Sequence, residues 1–260
     1  MGMTGSMQLL AGDEAPTVAN VNPEGAGDVL LVCEHASFAL PRALGSLGLD
    51  AAALVAHIAW DPGALAVARL MSQALDAHLI HQNYSRLAYD CNRPPESDDA
   101  MPAISEIYEI PGNQNIPTDE RDARIAEIYM PFKAALEKTI AARKAAGRKT
   151  VLVTVHSFTP IYKGNHRSVE IGILYDSDSR IADIMLEEGV RKGGYDIRRN
   201  EPYGPADGVT HTLKLHGLEN GLANVMIEVR NDLIANEAGQ EVVAEYLVGL
   251  LSSAMKRIQS

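Results

Sequence analysis

Cysteine is nearly absent: Cys33 and Cys91 are the only two in 260 residues. Two thiols cannot build a disulfide framework, so a reducing compartment is expected. No apolar run approaches the roughly 18 residues of a membrane span. Met1 to Gln8 have neither the basic start nor the apolar stretch of a signal peptide, which makes the cytoplasm the expected location. Basic residues are also in short supply, with 23 Lys and Arg against 34 Asp and Glu and a net charge of -11. That balance argues against nucleic acid as a partner, because phosphate binding needs a basic face. A small anionic metabolite stays open, since a few arginines in one cleft override the global field at short range.

Several familiar catalytic signatures are missing too. The chain has no Gly-x-Ser-x-Gly elbow, no phosphate-binding Walker loop, no His-Glu-x-x-His and no strand-linked dinucleotide fingerprint. Ser37 and Ser157 each lie within two residues of a histidine on the same turn. A nucleophile and its base are normally brought together from separate elements, so this spacing does not make a serine hydrolase.

What is present is a core. Hydrophobic residues make up 46% of the chain and charged residues a scattered 22%, enough to fold and too evenly spread for wholesale disorder. Residues 1–27, with Pro16 and Pro23, read as a flexible arm; residues 28–260 read as a single domain. Continuous apolar runs at Val29–Cys33, Thr150–Val155 and Val169–Tyr175 have the pattern of strands buried on both faces. Shorter strands are expected at Leu79–Gln82, Tyr195–Arg198 and Asn224–Val229. Helical spacing follows Asp61-Pro62-Gly63, runs from Thr118 to Ala146 with a bend at Pro131, covers Asp178 to Lys192, and closes the chain from Glu237 to Ile258. Pro62 suits a first helical turn. Long polar loops are expected at about 83–117 and 200–221. The alternation of strands and helices predicts a three-layer α/β/α sandwich around a mostly parallel, mixed sheet.

In such sheets ligands bind beyond the carboxyl ends of the strands. Three predicted strands lead there into chemistry: to His35, to His156, and to Glu228 with Arg230. The two histidines read as ligands of one divalent metal, with Zn²⁺ the natural candidate, since a catalytic zinc takes three protein ligands and keeps one position open. Asp61, in its Asp-Pro-Gly turn, is the preferred third ligand. Glu34 is the rival, although adjacent residues at a strand end point to opposite faces. Glu228 is the candidate general base, with Arg230 on the same face by alternation and able to polarise a carbonyl. Arg93, beside Asn92 in Asp90-Cys91-Asn92-Arg93-Pro94, is the candidate grip for a substrate carboxylate, because a guanidinium matches that group with two hydrogen bonds. Arg86 and Arg167 are further candidates.

Six blocks then resemble the N-formylglutamate amidohydrolase (deformylase-like) family. They are Cys33-Glu34-His35-Ala36-Ser37, Trp60-Asp61-Pro62-Gly63-Ala64, Ser85-Arg86-Leu87 through Asp90-Cys91-Asn92-Arg93-Pro94, Val155-His156-Ser157-Phe158, Asn200-Glu201-Pro202-Tyr203-Gly204 and Ile227-Glu228-Val229-Arg230-Asn231-Asp232. They occur in family order over about residues 29–235. The resemblance implies a fold related to zinc carboxypeptidases and aspartoacylases, a metal-activated water, and cleavage of an N-acyl amino acid. It implies Asn92 and Arg93 as the carboxylate clamp, Glu228 as the catalytic carboxylate, and Tyr203 in the substrate site. Where the carboxypeptidase pattern has a ligand Glu three residues after the first His, this chain has Phe38. N-formyl-L-glutamate is the lead substrate. A longer N-acyl group, or a metal-free relative that only binds an acidic ligand, are the alternatives. Nothing in the sequence specifies an oligomeric state.

Overall fold

A computed structural model describes residues 7–259. Seven strands build the main sheet: β1 (Val18–Val21), β2 (Val29–Cys33), β3 (His78–Gln82), β4 (Val151–Phe158), β5 (Ile171–Leu174), β6 (Ile197–Arg199) and β7 (Ala223–Arg230). Their order across the sheet is β1-β3-β2-β4-β7-β5-β6. Strands β3, β2, β4 and β7 run parallel, while β1 and the β5–β6 pair run against them. The sheet is therefore mixed and mostly parallel, as its apolar strands predict.

Five helices flank it: α1 (Ala64–Ala74), α2 (Thr118–Arg124), α3 (Met130–Ala145), α4 (Arg180–Lys192) and α5 (Glu237–Gln259). On one face Val67 and Met71 of α1, Ile181 and Met185 of α4, and Leu247 and Leu251 of α5 pack on Leu31, Val153, Ile173 and Val225. On the other, Phe132, Leu136 and Ile140 of α3 pack on Leu30, Val32, Ile80 and Leu152. Odd positions of β4 thus serve one layer and even positions the other, as strand alternation requires. Each fully buried aliphatic side chain contributes about 1.5–3 kcal/mol, so two such layers hold the sheet's edges and ends in fixed places. No helix among the described residues is long and apolar enough to cross a membrane.

The structure corrects several local expectations. The arm predicted over residues 1–27 is anchored where it is described; residues 1–6 lie outside the described range. β1 pairs with β3 from Val18↔Gln82 to Val21↔Leu79. The amides of Leu9 and Leu10 donate to the Glu127 carboxylate at 2.8 and 2.9 Å, and Leu9 is buried. The bend expected at Pro131 is a π turn over Ile125–Tyr129, placed just before the proline, which then falls in the first turn of α3 where a missing N–H is tolerated. Pro62 does not start α1; Gly63 is the N-cap, with φ 81°. The polar loops contain short structure: a hairpin at Ile104–Ser105 with Tyr108–Glu109, and a π turn at Leu213–Gly217.

Candidate active site

β4 is longer than predicted, so His156 is not beyond the strand but within it. This matters for register, because Glu228 of β7 is the Cα partner of His156. The two side chains leave the same face of the sheet, side by side. Gly172 of β5 is the next partner of Glu228. A Cβ there would meet the Glu201 carbonyl at 1.9 Å. Only glycine lets the segment carrying Tyr203 cross at this point.

Asp61 reaches the same place by a separate route. Its amide donates to the His35 carbonyl at 2.9 Å. The Ser157 amide donates to Asp61 Oδ2 at 3.3 Å, and the Ser157 hydroxyl donates to the Pro62 carbonyl at 2.9 Å. Ser157 thus stitches the Asp-Pro-Gly turn to β4. Gly63 completes the turn, where a Cβ would lie 2.6 Å from the Ile234 carbonyl.

Three donor atoms converge as a result. Nδ1 of His35 lies 3.2 Å from Asp61 Oδ2. Nδ1 of His156 lies 3.0 Å from the same oxygen and 3.2 Å from Nδ1 of His35. All three residues are buried, with these ligand atoms within 4.8 Å of one another. Each residue is held from behind. His35 Nε2 bonds Asp90 Oδ1 at 2.8 Å, His156 Nε2 is 3.2 Å from Glu34 Oε2, and Arg86 Nη1 is 3.2 Å from Asp61 Oδ1. The outer nitrogens face carboxylates and the inner ones face Asp61 Oδ2; an outer N–H held in this way leaves the inner nitrogen free to ligate a metal. Two imidazole nitrogens and one carboxylate oxygen are a donor set that suits Zn²⁺, and the group could hold a metal ion. Glu34 stands behind His156, outside this group. Phe38 is exposed and packs edge-on against Trp60, with ring centroids 5.1 Å apart, outside the donor group.

The close packing of these charges sets their electrostatics. Burial alone would raise the pKa of Asp61, but Arg86, His35 and His156 outweigh it and hold the carboxyl well below its usual range. Burial would likewise depress both histidines, yet Asp90 and Asp61 raise His35, and Glu34 and Asp61 raise His156. Glu228 behaves in the opposite way. Burial pushes its carboxyl up, His156 opposes, the charge of Asp61 adds, and the balance stands at about 7. Its Oε2 is buried without a hydrogen-bond partner.

These groups line a cavity of about 360 Å³, together with Arg86, Asn92, Arg93 and Tyr203. Arg93 donates from Nη1 to the Asn92 and Gly208 carbonyls, both at 3.0 Å, and its Nε is buried without an acceptor. Asn92 lines the cavity but is already engaged: its side chain donates to the Val209 carbonyl at 2.6 Å and accepts from the Thr212 amide at 3.0 Å. Arg86 is committed to Asp61 and to the Ile58 carbonyl. Arg167 does not line the cavity. It stacks over Tyr162 at 4.4 Å and Tyr203 at 4.8 Å, and donates to the Tyr203 hydroxyl at 3.0 Å.

Arg230 is the clear misplacement. Its guanidinium turns away to Asp232 at 2.8 Å and to the carbonyls of Arg167 and Ser168 at 3.3 and 3.1 Å. Alternation fixes the face a residue leaves from; a long side chain at the strand's last position can still fold back over the edge. His57 was missed. It lines the cavity with Nδ1 3.8 Å from Asp61 Oδ1. Burial and Arg86 push its pKa down to about 3, so the imidazole is neutral. Its place four residues before Asp61 was the available signal.

A family model described as N-formylglutamate amidohydrolase matches residues 27–235. No curated protein matches the chain. The crystal structure of gene product Atu2144 from Agrobacterium tumefaciens is 55% identical, covers 97% of this chain and 100% of its own, and superposes with a TM-score of 0.95. The N-formylglutamate amidohydrolase from Ralstonia eutropha JMP134 is 19% identical, with 93% and 98% coverage and a TM-score of 0.59, a likeness of fold.

Proposed function

Because the chain belongs to the N-formylglutamate amidohydrolase family, we propose that it hydrolyses the amide bond of an N-formyl amino acid carrying a carboxylate. The lead substrate is N-formyl-L-glutamate, with formate and glutamate as products. We assign His35, Asp61 and His156 as ligands of a divalent metal, Zn²⁺ first. The observation that carries this reading is the convergence of three buried donor atoms beside an unpartnered carboxylate, at one side of a cavity.

A Zn²⁺ held by His35, Asp61 and His156 would supply Lewis acidity, making the attacking water easier to deprotonate and polarising the acyl oxygen. Glu228 takes the proton from the attacking water as its oxygen bonds to the formyl carbon. The same carboxyl then gives that proton to the amide nitrogen as the C–N bond breaks, so the base is restored. A buried carboxyl with an unpartnered Oε2 beside the donor group is placed for both halves of that exchange. The buried, unpartnered Nε of Arg93 is offered to the substrate carboxylate. Tyr203, whose hydroxyl accepts from Arg167, keeps its own proton for a substrate oxygen. Arg86 serves Asp61 rather than substrate, and Arg230 braces the 167–170 segment.

A longer N-acyl group is the second reading, favoured by Ile104 at the cavity rim and Ile107 on the same hairpin, which are 63% and 76% exposed. Elemental analysis of purified protein, with rates on N-formyl, N-acetyl and N-hexanoyl glutamate, tests both. Full activity in metal-free protein would overturn the ligand assignment, and preference for the hexanoyl compound would select the second reading. Binding without turnover on any of them would leave only an acidic-ligand-binding relative.

A further inference from the structure

One oxygen of Asp90 makes two bonds. Oδ1 lies 2.8 Å from Nε2 of His35, and it also accepts the backbone N–H of Asn92 at 2.8 Å. The second bond closes an Asx turn, in which an aspartate side chain accepts the backbone N–H two residues ahead of it. The Arg93 amide completes the turn by donating to the Asp90 carbonyl at 3.0 Å. Arg93 leaves the chain directly from that turn. Asp90 itself is only 8% exposed and lines the cavity between the two groups.

Glu34 makes an instructive contrast. It stands behind His156 much as Asp90 stands behind His35, but it does not line the cavity and closes no such turn. Of the carboxylates behind the histidines, Asp90 alone also touches the segment that presents Arg93.

We propose that Asp90 is a positioning residue for both halves of the site: it orients His35 so that Nδ1 faces the metal, and it shapes the turn that presents Arg93 to the substrate carboxylate. The inference rests on the metal and clamp assignments made above. Its physical content is that one charge performs two separable tasks. Toward His35 the charge matters, because a carboxylate on the outer N–H raises the basicity of the inner nitrogen and fixes its tautomer. Toward Asn92 only an acceptor at the right distance matters.

Asp90→Asn separates the tasks, since asparagine closes the same kind of turn without the charge. Zn²⁺ affinity, read by competition with a chromogenic chelator, should fall by about 10–100-fold, the usual cost of losing such a partner. At saturating Zn²⁺ the KM for N-formyl-L-glutamate should stay near the wild-type value. Asp90→Ala should lose Zn²⁺ affinity likewise and also raise KM about tenfold or more, because the clamp is displaced. Wild-type Zn²⁺ affinity in Asp90→Asn overturns the first task. A raised KM in Asp90→Asn at saturating Zn²⁺, or an unchanged KM in Asp90→Ala, overturns the second. The asparagine variant carries both readouts even if the alanine variant does not fold. Wild-type protein that binds no Zn²⁺ at all is a different result, and it strikes the metal assignment itself.

Discussion

Glu228 and His156 are register partners on neighbouring parallel strands and leave the same face of the sheet. Both are buried, at 5% and 2% exposure. The proposed base and a proposed metal ligand are therefore held by ladder hydrogen bonds rather than by a flexible segment. Rigid support of this kind keeps reacting groups within the narrow tolerance that catalysis needs.

Glu228→Gln tests the base directly. The substitution preserves shape and removes basicity, so kcat should fall by about 10²-fold or more, the size of a general-base contribution. Metal content should be unchanged, because Glu228 is outside the ligand group. Wild-type turnover in a folded, metal-loaded variant would show that another group takes the proton.

Metal removal should act on stability as well as on rate. The buried centre brings the carboxylates Glu34, Asp61 and Asp90 together around His35 and His156, with Arg86 paired to Asp61. A dication bound only by the folded state stabilises it by RT ln(1 + [L]/Kd), about 2.7 kcal/mol at a hundredfold excess over Kd. Exhaustive chelation should abolish hydrolysis and lower Tm, and Zn²⁺ should restore both. An identical Tm with and without Zn²⁺, together with full activity in chelator, would contradict the assignment.

Gly172→Ala probes how the substrate side is built. Gly172 is the partner of Glu228 on β5, and an added methyl would collide with the Glu201 carbonyl. Backbone cannot yield as a flexible side chain would, so overpacking should cost about 1–3 kcal/mol or more. The displaced segment carries Tyr203. A loss of thermal stability accompanied by a raised KM is expected; a neutral effect on both would mean the crossing is looser than its geometry.

Much of this site was legible in the sequence, and the reasons are specific. A buried parallel strand reads as an unbroken apolar run, so β2 and β4 were visible, and with them the sheet end that holds His35 and His156. Glu228 followed from the same logic in β7. β1 was not visible because Val-Ala-Asn-Val is a short edge strand among Pro and Gly, with partly exposed side chains that carry little apolar signal. The role of Asp90 was hidden for a different reason. Its partner His35 is 55 residues away, and only the fold brings a loop carboxylate behind that ring. Arg230 and Asn92 show the converse limit: sequence names the polar residues near a site, but hydrogen bonds to nearby backbone decide which of them stay available.

Arg93 is the residue on which the substrate reading turns. Its Nη1 is tied to two backbone carbonyls, which fixes the plane of the guanidinium; Nε is buried and unpartnered, and the residue lines the cavity. An overall charge of -11 repels an anionic substrate at long range, so a carboxylate needs a local cation to be held. Arg93→Lys keeps the charge and loses both the planar fork and its backbone anchors. The kcat/KM for N-formyl-L-glutamate should drop by about 1.5–3 kcal/mol, the worth of a hydrogen bond to a charged group. Wild-type protein should prefer the free acid over its side-chain amide, and the lysine variant should discriminate less. Because Arg93 touches none of the proposed ligands, Zn²⁺ content should be the same in both proteins. Equal rates on acid and amide in the wild type, or an unchanged lysine variant, would mean that the carboxylate is read elsewhere. Arg167, stacked between Tyr162 and Tyr203 at the cavity's edge, would then be the next guanidinium to replace.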